Sequence, residues 1–431
     1  MSWSEIMISD LGTVVTGDTP PRKNPEYYGD AYPFIKPTDM KVGQRLTLDY
    51  EEGYSVEGAS KYRKKLIPAG STAVVTIGSI GQKLTWLHAD CFVNQAVNAV
   101  IPDKSKFDEL YVYYLLKHNL HQVKQADTGA SSGRENVSKS NFSALKVYAC
   151  TDHITQRQIA IVLGDLDTAI ETNQHRIALL EEAARRLFRE WFVYLRFPGH
   201  ESVTVVDGVP EGWERKPIGQ LFQYHIGGGW GKDEYDAVST EAAYVIRGTD
   251  IPKLRQGNAA NVPLRYHPPK NLASRSLQDG DLVFEVSGGS RDQGVGRLLP
   301  ITELLLEQFD KPIMCASFCK LIRPVQGASE YLALALSELR IKGELRVFEN
   351  QSASNIVNFA FPDFCERQIA YLPEQAVLEM FQAAVRPIWK QMAVFGKQQV
   401  KLAETRDALL PKLMSGQLDV SRIKLPQQDS V

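Results

Sequence analysis

The chain has 431 residues, of which 43% are hydrophobic and 23% charged, a composition typical of folded globular proteins that excludes a largely disordered chain. Its 49 basic and 51 acidic residues leave a formal net charge of −2, which argues against a general polyanion binder, so local patches must carry any affinity for nucleic acid. The length predicts two or three domains. No stretch is apolar enough to span a bilayer and the N-terminus lacks the pattern of a secretory signal, so we expect a cytoplasmic protein.

Residues 1–152 are predicted to form a first globular unit of strands and helices. An apolar run at 72–77 ends at Gly78, as a strand that leads into a turn does, and a helix is expected from Asp108 to Lys124. The segment Lys61-Tyr62-Arg63-Lys64-Lys65 is a basic patch with an interleaved aromatic residue. It is either a nucleic-acid contact or a solvated face of the unit.

A long helix follows, predicted from Thr155 to Phe192 and assigned to a segment 153–192. Apolar residues recur at alternating spacings of four and three, the heptad repeat of a coiled coil. The predicted seam contains Ile159, Leu163, Leu166, Ile170, Asn173, Ile177, Leu180, Ala184, Leu187 and Trp191. Asn173 is its one polar member, and we expect it to set the register of the helix pair, with local fraying as the alternative.

After a connector at 193–212, residues 213–372 repeat the first unit. The segment 34–40 returns as 244–251, and Ala69-Gly70-Ser71 before an apolar strand returns as Asp279-Gly280-Asp281 before another, at 282–286. A helix is expected from Ser329 to Gly343. A duplicated unit of this kind predicts an internal repeat with pseudo-two-fold symmetry.

A second long helix is predicted at 373–416, ahead of a C-terminal tail at 417–431. Its seam contains Leu378, Phe381, Val385, Ile388, Met392, Phe395, Gln399, Leu402, Arg406, Leu409 and Leu413. Pro387 predicts a kink or a new start near Arg386. The short connector predicts that this helix runs antiparallel to the first, and nearly forty residues span about 57 Å, well over one turn of B-DNA at roughly 34 Å.

No motif in the chain predicts catalysis. The glycine run 226–233 has Ile226 and Asp233 where a phosphate-binding loop requires Gly and Ser or Thr, so a glycine turn between strands is expected. Asn24-Pro25-Glu26-Tyr27 differs from the Asn-Pro-Pro-aromatic motif of amino-methyltransferases at Glu26. The five scattered cysteines favour buried thiols, and we expect no metal site, since Cys315-x-x-x-Cys319 has no second Cys/His pair at a zinc-site spacing.

Four separated motifs carry a resemblance to a known family. They are Thr16-Gly17-Asp18-Thr19-Pro20-Pro21-Arg22-Lys23-Asn24-Pro25-Glu26-Tyr27-Tyr28-Gly29 with Pro33-Phe34-Ile35-Lys36; Gln156-Arg157-Gln158-Ile159-Ala160 with Leu166-Asp167; Leu187-Phe188-Arg189-Glu190-Trp191-Phe192; and Arg406-Asp407-Ala408-Leu409-Leu410-Pro411-Lys412-Leu413-Met414-Ser415-Gly416. In this order they resemble the specificity subunits of type I restriction-modification systems, over essentially the whole chain.

The resemblance implies a mixed α/β (α+β) fold, with two target-recognition domains linked by two long antiparallel coiled-coil spacer helices. It also implies a non-catalytic subunit that reads a bipartite sequence in double-stranded DNA, one half with each domain, while the helices set the gap. Family members assemble with two methylation subunits and with restriction subunits that translocate and cleave DNA. We therefore expect this chain to bind no cofactor. We expect its partner subunits to bind S-adenosylmethionine, ATP and Mg. The complex would serve host defence through adenine methylation or DNA cleavage.

Base contacts are expected from polar and basic side chains on loops that reach the major groove. The candidates are Lys61, Arg63, Lys64, Lys65, Ser79, Gln82, Lys83 and Arg134 in the first unit, and Trp230, Lys232, Arg247, Arg255, Ser290, Arg291, Gln293 and Arg297 in the second. Because Arg247 and Lys36 occupy equivalent positions, a shared framework role competes with base contact there. The helix residues Arg176, Glu181, Arg185, Arg186 and Arg189 are candidates for docking methylation subunits, or else ordinary solvated flanks.

Three alternatives stay open at this point. A self-contained restriction or modification enzyme would need a catalytic domain that the sequence does not reveal. A structural coiled-coil scaffold would leave the two globular units without a role. A specificity subunit of a methylation-only complex, without a nuclease partner, would share every feature described above.

Overall fold

The computed structural model of the protein describes residues 3–127, 135–288, 294–351 and 356–423. The chain divides into two compact units, Met1–Ala169 with Leu402–Val431, and Ile170–Lys401. The first unit is therefore built from both ends of the chain. Each long helix contributes one part to the first unit and the other part to the second.

The described residues of the first unit form a mixed α/β structure with three small sheets. Its strands are β1 (Trp3–Met7), β2 (Gly12–Thr16), β3 (Tyr28–Ile35), β4 (Glu52–Tyr54), β5 (Thr72–Val75), β6 (Leu84–Trp86), β7 (Phe92–Val93), β8 (Val97–Pro102) and β9 (Lys146–Cys150). Its helices are α1 (Val56–Lys61), α2 (Glu109–His118), α3 (Leu120–Gln125), α4 (Lys139–Ala144) and the first part of α5 (His153–Phe188). The sheet orders are β2-β8-β5-β6, β4-β3-β7 and β1-β9.

The apolar residues of strand β5 and helix α2 contribute to the core of the first unit. All four residues of β5 are buried, as its run of β-branched and small residues predicts. The helix expected from Asp108 to Lys124 is present but is split into α2 and α3. Asp108 caps its start by accepting a hydrogen bond from the Tyr111 amide at 2.8 Å. The split falls at Asn119, whose side-chain amide donates to the Leu115 carbonyl at 2.8 Å.

The second unit is also mixed α/β. Its strands are β10 (Val205–Val206), β11 (Val209–Pro210), β12 (Glu214–Pro217), β13 (Phe222–Gly227), β14 (Glu241–Ile246), β15 (Leu264–His267), β16 (Leu282–Glu285), β17 (Ser287–Gly288), β18 (Leu298–Pro300), β19 (Ile313–Cys315), β20 (Cys319–Pro324), β21 (Glu349–Gln351), β22 (Val357–Phe359) and β23 (Ile369–Leu372). Its helices are α6 (Ile251–Arg255), α7 (Pro269–Arg275), α8 (Glu303–Leu306), α9 (Ser329–Ile341), α10 (Phe361–Arg367) and most of α11 (Gln375–Met414).

Three of the five sheets of the second unit have the strand arrangement seen in the first. Their orders are β13-β20-β16-β18, β15-β14-β19 and β12-β23, and the other two sheets are β10-β11 and β17-β22-β21. In the sheets β4-β3-β7 and β15-β14-β19, the middle strand pairs antiparallel with the first strand and parallel with the last. The predicted strand at 282–286 and the predicted helix at 329–343 correspond to β16 and α9, within two residues.

The two long helices agree with the predicted bounds. Helix α5 continues through a π-helical turn at Arg189–Val193, which extends it to the predicted end. Helix α11 runs through Pro387 without interruption, so the expectation of a new start there is wrong. Pro387 lies at an exposed position, and so does Ala383, whose carbonyl loses its hydrogen bond and can be hydrated instead. The bend near Arg386 stays a prediction.

The predicted seam residues are buried or half-buried, and in α5 the buried positions shift by one residue at two places. Ile159, Leu163, Ile170, Asn173, Ile177, Leu378, Phe381, Val385 and Leu413 are buried, whereas Leu180, Ile388, Met392, Phe395, Leu402 and Leu409 are half-buried. Leu166 and Leu187 are also half-buried, and their neighbours Asp167 and Phe188 take the buried positions. The heptad pattern missed the shift at Asp167 because the pattern scores apolar residues alone, and Asp167 is charged.

Asp167 is the centre of a buried charge cluster in the first unit. Its carboxylate accepts hydrogen bonds from Arg406 Nη1 at 2.6 Å and from the Tyr114 hydroxyl at 2.7 Å. The amine of Lys117 lies 3.8 Å away. The side chains of Asp167 and Arg406 are only 4% and 8% exposed. Burial lowers the pKa of Lys117, and burial together with the Asp167 charge raises the pKa of Tyr114. One carboxylate therefore connects α2, α5 and α11.

Replacing Asp167 with Ala should lower the free energy of unfolding by about 3–5 kcal/mol, because Arg406 and Lys117 would stay buried without that carboxylate. Denaturant unfolding of the full chain measures the loss. The matched control is Glu5→Ala, since Glu5 pairs with Lys146 at 2.8 Å at the surface, with the two side chains 60% and 63% exposed. That change should cost about 1 kcal/mol or less. Equal losses for the two variants would contradict a special role for Asp167.

Candidate nucleic-acid interface

The motif at 16–29, called the opening motif below, begins next to the turn that joins β7 and β8 and is hydrogen-bonded to both ends of that turn. The Gly17 amide donates to the Val97 carbonyl at 3.1 Å, and the Asp18 amide donates to the Val93 carbonyl at 3.0 Å. A Cβ atom on Gly17 would clash with the carbonyl oxygen of Val93. Glycine is therefore required here for the close approach of two backbones.

The glycine run of the second unit makes the same contacts. The Gly228 amide donates to the Cys319 carbonyl at 3.0 Å, and the Gly229 amide donates to the Cys315 carbonyl at 3.0 Å. A Cβ atom on Gly228 would clash with the carbonyl oxygens of Cys315 and Ala316. The run follows β13 and occupies the same position in the second unit as the opening motif does in the first. The sequence does not indicate this similarity, because the two segments have only the glycine in common.

A second feature common to both units is the turn that follows β3 and β14. The Lys36 amide donates to Asp39 Oδ2 at 2.7 Å, and the Arg247 amide donates to Asp250 Oδ2 at 2.9 Å. The side chain of Arg247 also pairs with Asp250, at 2.8 Å, while Lys36 pairs with Glu51 at 2.7 Å. For Lys36 and Arg247, these contacts favour a structural role in the framework over contact with DNA bases.

The basic patch of the first unit lies at the end of α1. Lys61, Arg63 and Lys64 are exposed, and within the described residues none of the three has an ion pair. Lys65 differs, because its amine donates to the Thr16 carbonyl at 2.9 Å. The interleaved Tyr62 packs edge-on against Tyr54, with ring centroids 5.8 Å apart. The aromatic residue is thus structural, and three cations are left for an external anion.

The remaining candidates of the first unit lie between β5 and β6, apart from Arg134, which is outside the described residues. Gln82 is exposed and Ser79 is half-buried. The amine of Lys83 donates to the Pro37 carbonyl at 2.7 Å, which ties this loop to the turn after β3. Gln82 is therefore the most accessible of the three.

The candidates of the second unit are mostly held by acidic partners. Arg297 Nε donates to Glu285 at 2.7 Å, and Glu285 is only 1% exposed. Lys232 pairs with Asp236, and Arg255 pairs with Glu181. Ser290, Arg291 and Gln293 lie outside the described residues. The fixed partners leave less freedom for Lys232, Arg255 and Arg297 than for the patch at 61–64.

Trp230 is 39% exposed and its ring lies against a residue that the sequence did not single out. The guanidinium of Arg265, on β15, is 4.5 Å from the Trp230 ring centroid and pairs with Asp233. This cation–π contact fixes the indole. Sequence reasoning missed Arg265 because a strand pairing, and no local motif, brings it to the glycine segment.

The proposed docking residues on α5 all have partners inside the second unit. Arg176 lies over the Phe395 ring at 5.3 Å, Glu181 pairs with Arg255, Arg185 and Arg186 pair with Glu182, and Arg189 pairs with Glu338 at 3.0 Å. Their role in docking methylation subunits stays a prediction.

The described residues contain no group of three or more His, Cys, Asp or Glu side chains placed to hold a metal ion. Burial raises the pKa of the Cys315 thiol to about 12, and both Cys315 and Cys319 lie within an apolar core cluster. Among the same residues, no helix is long and apolar enough to cross a membrane.

Comparison with known proteins agrees with this geometry. Residues 2–182 match the type I restriction modification DNA specificity domain. The MjaIX specificity subunit of Methanocaldococcus jannaschii is 23% identical over 432 residues, which cover 98% of this chain and 94% of that protein. The HindI specificity subunit of Haemophilus influenzae is 28% identical over 176 residues, covering 40% of this chain and 38% of that protein. The chain is thus similar to type I restriction-modification specificity subunits, over nearly its whole length in the case of the MjaIX subunit.

A solved structure supports the same fold. The S subunit of the type I restriction-modification system from M. genitalium superposes with a TM-score of 0.57 at 13% identity, and the match covers 96% of each chain. At this identity the likeness concerns the fold. The mixed α/β class predicted from the sequence is thereby confirmed.

Replacing Gly228 with Ala should destabilise the second unit by about 1–3 kcal/mol, because the new methyl group collides with fixed backbone. The neighbouring substitution Gly227→Ala is the control, since a Cβ atom there meets nothing within 4 Å. It should change the free energy of unfolding by less than about 0.5 kcal/mol. Denaturant unfolding of both variants distinguishes them, and a tolerated Gly228→Ala would refute the close approach.

Proposed function

We propose that this chain is the DNA-recognition subunit of a type I restriction-modification complex. Each globular unit reads one half of a bipartite sequence, and the two long helices form an antiparallel coiled coil that sets the gap. The chain itself is non-catalytic. Partner methylation subunits supply S-adenosylmethionine chemistry on adenine, and restriction subunits supply ATP- and Mg-dependent translocation and cleavage.

One observation carries the proposal: the two units of the chain share three sheet orders and two sets of backbone contacts. The three matching sheets, the turn hydrogen bonds of Asp39 and Asp250, and the glycine contacts of Gly17 and Gly228 support an internal duplication. Two copies of one framework with different loops suit the reading of two different half-sites. A structural scaffold would need no such loops.

The proposed coiled coil is supported by contacts inside each unit. In the first unit, Ile159 and Leu163 near the start of α5 share a core with Leu410 and Leu413 near the end of α11. In the second unit, Trp191 just beyond the end of α5 lies 5.4 Å from Phe381 near the start of α11. Two antiparallel helices make contacts in this order. The burial of Asn173 is consistent with a role in setting their register.

The DNA-binding part of the proposal rests on three cations that have no ion-pair partner among the residues that the structure describes. Lys61, Arg63 and Lys64 can neutralise backbone phosphates, which position a protein on DNA without reading its sequence. Local patches of this kind reconcile DNA binding with a net charge of −2. Much of the remaining neutralisation would come from the partner subunits.

Ala substitutions at Lys61, Arg63 and Lys64 should each reduce the slope of log K against log salt concentration by about 0.9, because each removes one phosphate contact. The loss of affinity should be uniform across DNA sequences. Fluorescence anisotropy of the assembled methylation complex at several salt concentrations measures the slope. Lys146→Ala, which removes an exposed cation already paired with Glu5, is the control and should leave the slope unchanged. Unchanged slopes for all the variants would rule out the patch.

Sequencing of methylated genomic sites, after coexpression with a methylation subunit, should reveal a split adenine-methylation motif. Inserting seven residues after Asn173 in α5 and seven after Phe395 in α11 should widen its gap by about three base pairs, since a heptad adds about 10 Å. The two insertion points lie at a similar level of the helix pair, because Arg176 of α5 lies over the Phe395 ring of α11. Both half-sites should stay the same.

Different outcomes bear on different parts of the proposal. Altered half-sites in the insertion variant would contradict the spacer role of the helices. Absence of any split motif with the unmodified chain would contradict DNA recognition. Methylation by the isolated chain would instead favour a self-contained enzyme. A restriction assay with and without a restriction subunit distinguishes the full complex from a methylation-only complex.

A further inference from the structure

Phe318 is a large apolar residue held on the surface of the second unit. Its side chain is 61% exposed, although it lies in the short turn between the buried strands β19 and β20. The amides of Val286 and Ser287 donate to its carbonyl oxygen at 2.9 and 3.2 Å. Phe318 is thus a fixed residue, and its ring is not needed to fill the core.

The equivalent turn of the first unit carries a small residue. There the amides of Thr76 and Ile77 donate to the Ala96 carbonyl at 2.9 and 3.3 Å. The pattern matches that of Val286 and Ser287, since Thr76 follows β5 and Val286 follows β16. A methyl group is therefore sufficient for this turn, and the second unit adds a phenyl ring that the framework does not require.

The turn also adjoins the glycine run, which leads to the candidate Trp230. The glycine run that leads to Trp230 is bound to it, because Gly228 donates to the Cys319 carbonyl at 3.0 Å. Strand β17, which precedes the candidates at 290–293, begins at Ser287, the residue bound to the Phe318 carbonyl. Phe318 consequently lies next to Cys319, which holds the glycine run, and is bonded to Ser287 at the start of β17.

We propose that Phe318 is a specificity-determining residue of the second half-site, where its ring packs against the 5-methyl group of a thymine. This inference rests on the proposed function. The thymine methyl is the apolar feature of the major groove, and it distinguishes thymine from cytosine through contact with an apolar side chain. In the first unit, Ala96 in this place offers a methyl group in place of the ring.

The test uses the assembled methylation complex and duplexes in which single thymines of each half-site are replaced by deoxyuridine, which lacks only the methyl group. One replacement in the second half-site should weaken binding about fourfold, the worth of one buried methyl group. Phe318→Ala should bind the unmodified duplex about fourfold or more weakly and lose its sensitivity to that replacement. Its methylated motif should relax at that position while the first half-site stays unchanged.

Ile341→Ala is the matched control, because Ile341 is another exposed apolar residue of the second unit, 54% exposed at the end of α9. It should leave both binding and the methylated motif unchanged. Thermal unfolding checks that Phe318→Ala folds, and Phe318→Leu, which keeps an apolar contact, should retain part of the sensitivity to deoxyuridine.

If Phe318→Ala keeps the full sensitivity to deoxyuridine, or relaxes the first half-site instead, the inference is overturned. If the unmodified complex has no split motif at all, the proposed function fails, which is a separate result.

Discussion

The buried carboxylate of Asp167 is the interaction on which the first unit depends. It accepts hydrogen bonds from Arg406 and Tyr114, and so joins a helix of the globular part to both long helices. An unpaired charge at this depth costs several kcal/mol, so the three groups are stable only together. Residues 239 positions apart in the sequence thereby become one structural element. The corresponding helix of the second unit, α9, uses Glu330 and Glu338 instead, which bind Arg386 and Arg189.

Much of the architecture could be predicted from periodic patterns. The heptad spacing located both long helices, because their burial depends on one repeating face. The segments 34–40 and 244–251 each contain a turn closed by an aspartate side chain, and this constraint on the local sequence made their similarity recognisable. Prediction failed where a charged residue is buried, as at Asp167, and where an exposed proline is tolerated in a helix, as at Pro387.

The interface was harder to predict than the fold, because side-chain partners come from distant strands. Lys61, Arg63 and Lys64 could be recognised as a patch, since they are close in sequence. The ion pairs that hold Arg297 and Arg255 involve Glu285 and Glu181, and no local pattern indicates them. Likewise, the equivalence of Gly17 and Gly228 became visible only through their backbone hydrogen bonds. Composition and spacing indicate which charged side chains could contact DNA. The ion pairs of the folded chain decide which of these side chains remain accessible to it.

The assembly of the first unit from both chain ends has a consequence for synthesis on the ribosome. The core of this unit includes Leu410 and Leu413, and the Trp3 indole lies against Gly416. All residues of the second unit, 170–401, have been translated before these contacts can form. The N-terminal part of the first unit can therefore complete its core only after the last turn of α11 has been translated. The second unit can fold earlier, despite its later place in the sequence. Premature termination near residue 400 would leave the N-terminal segment with an incomplete core.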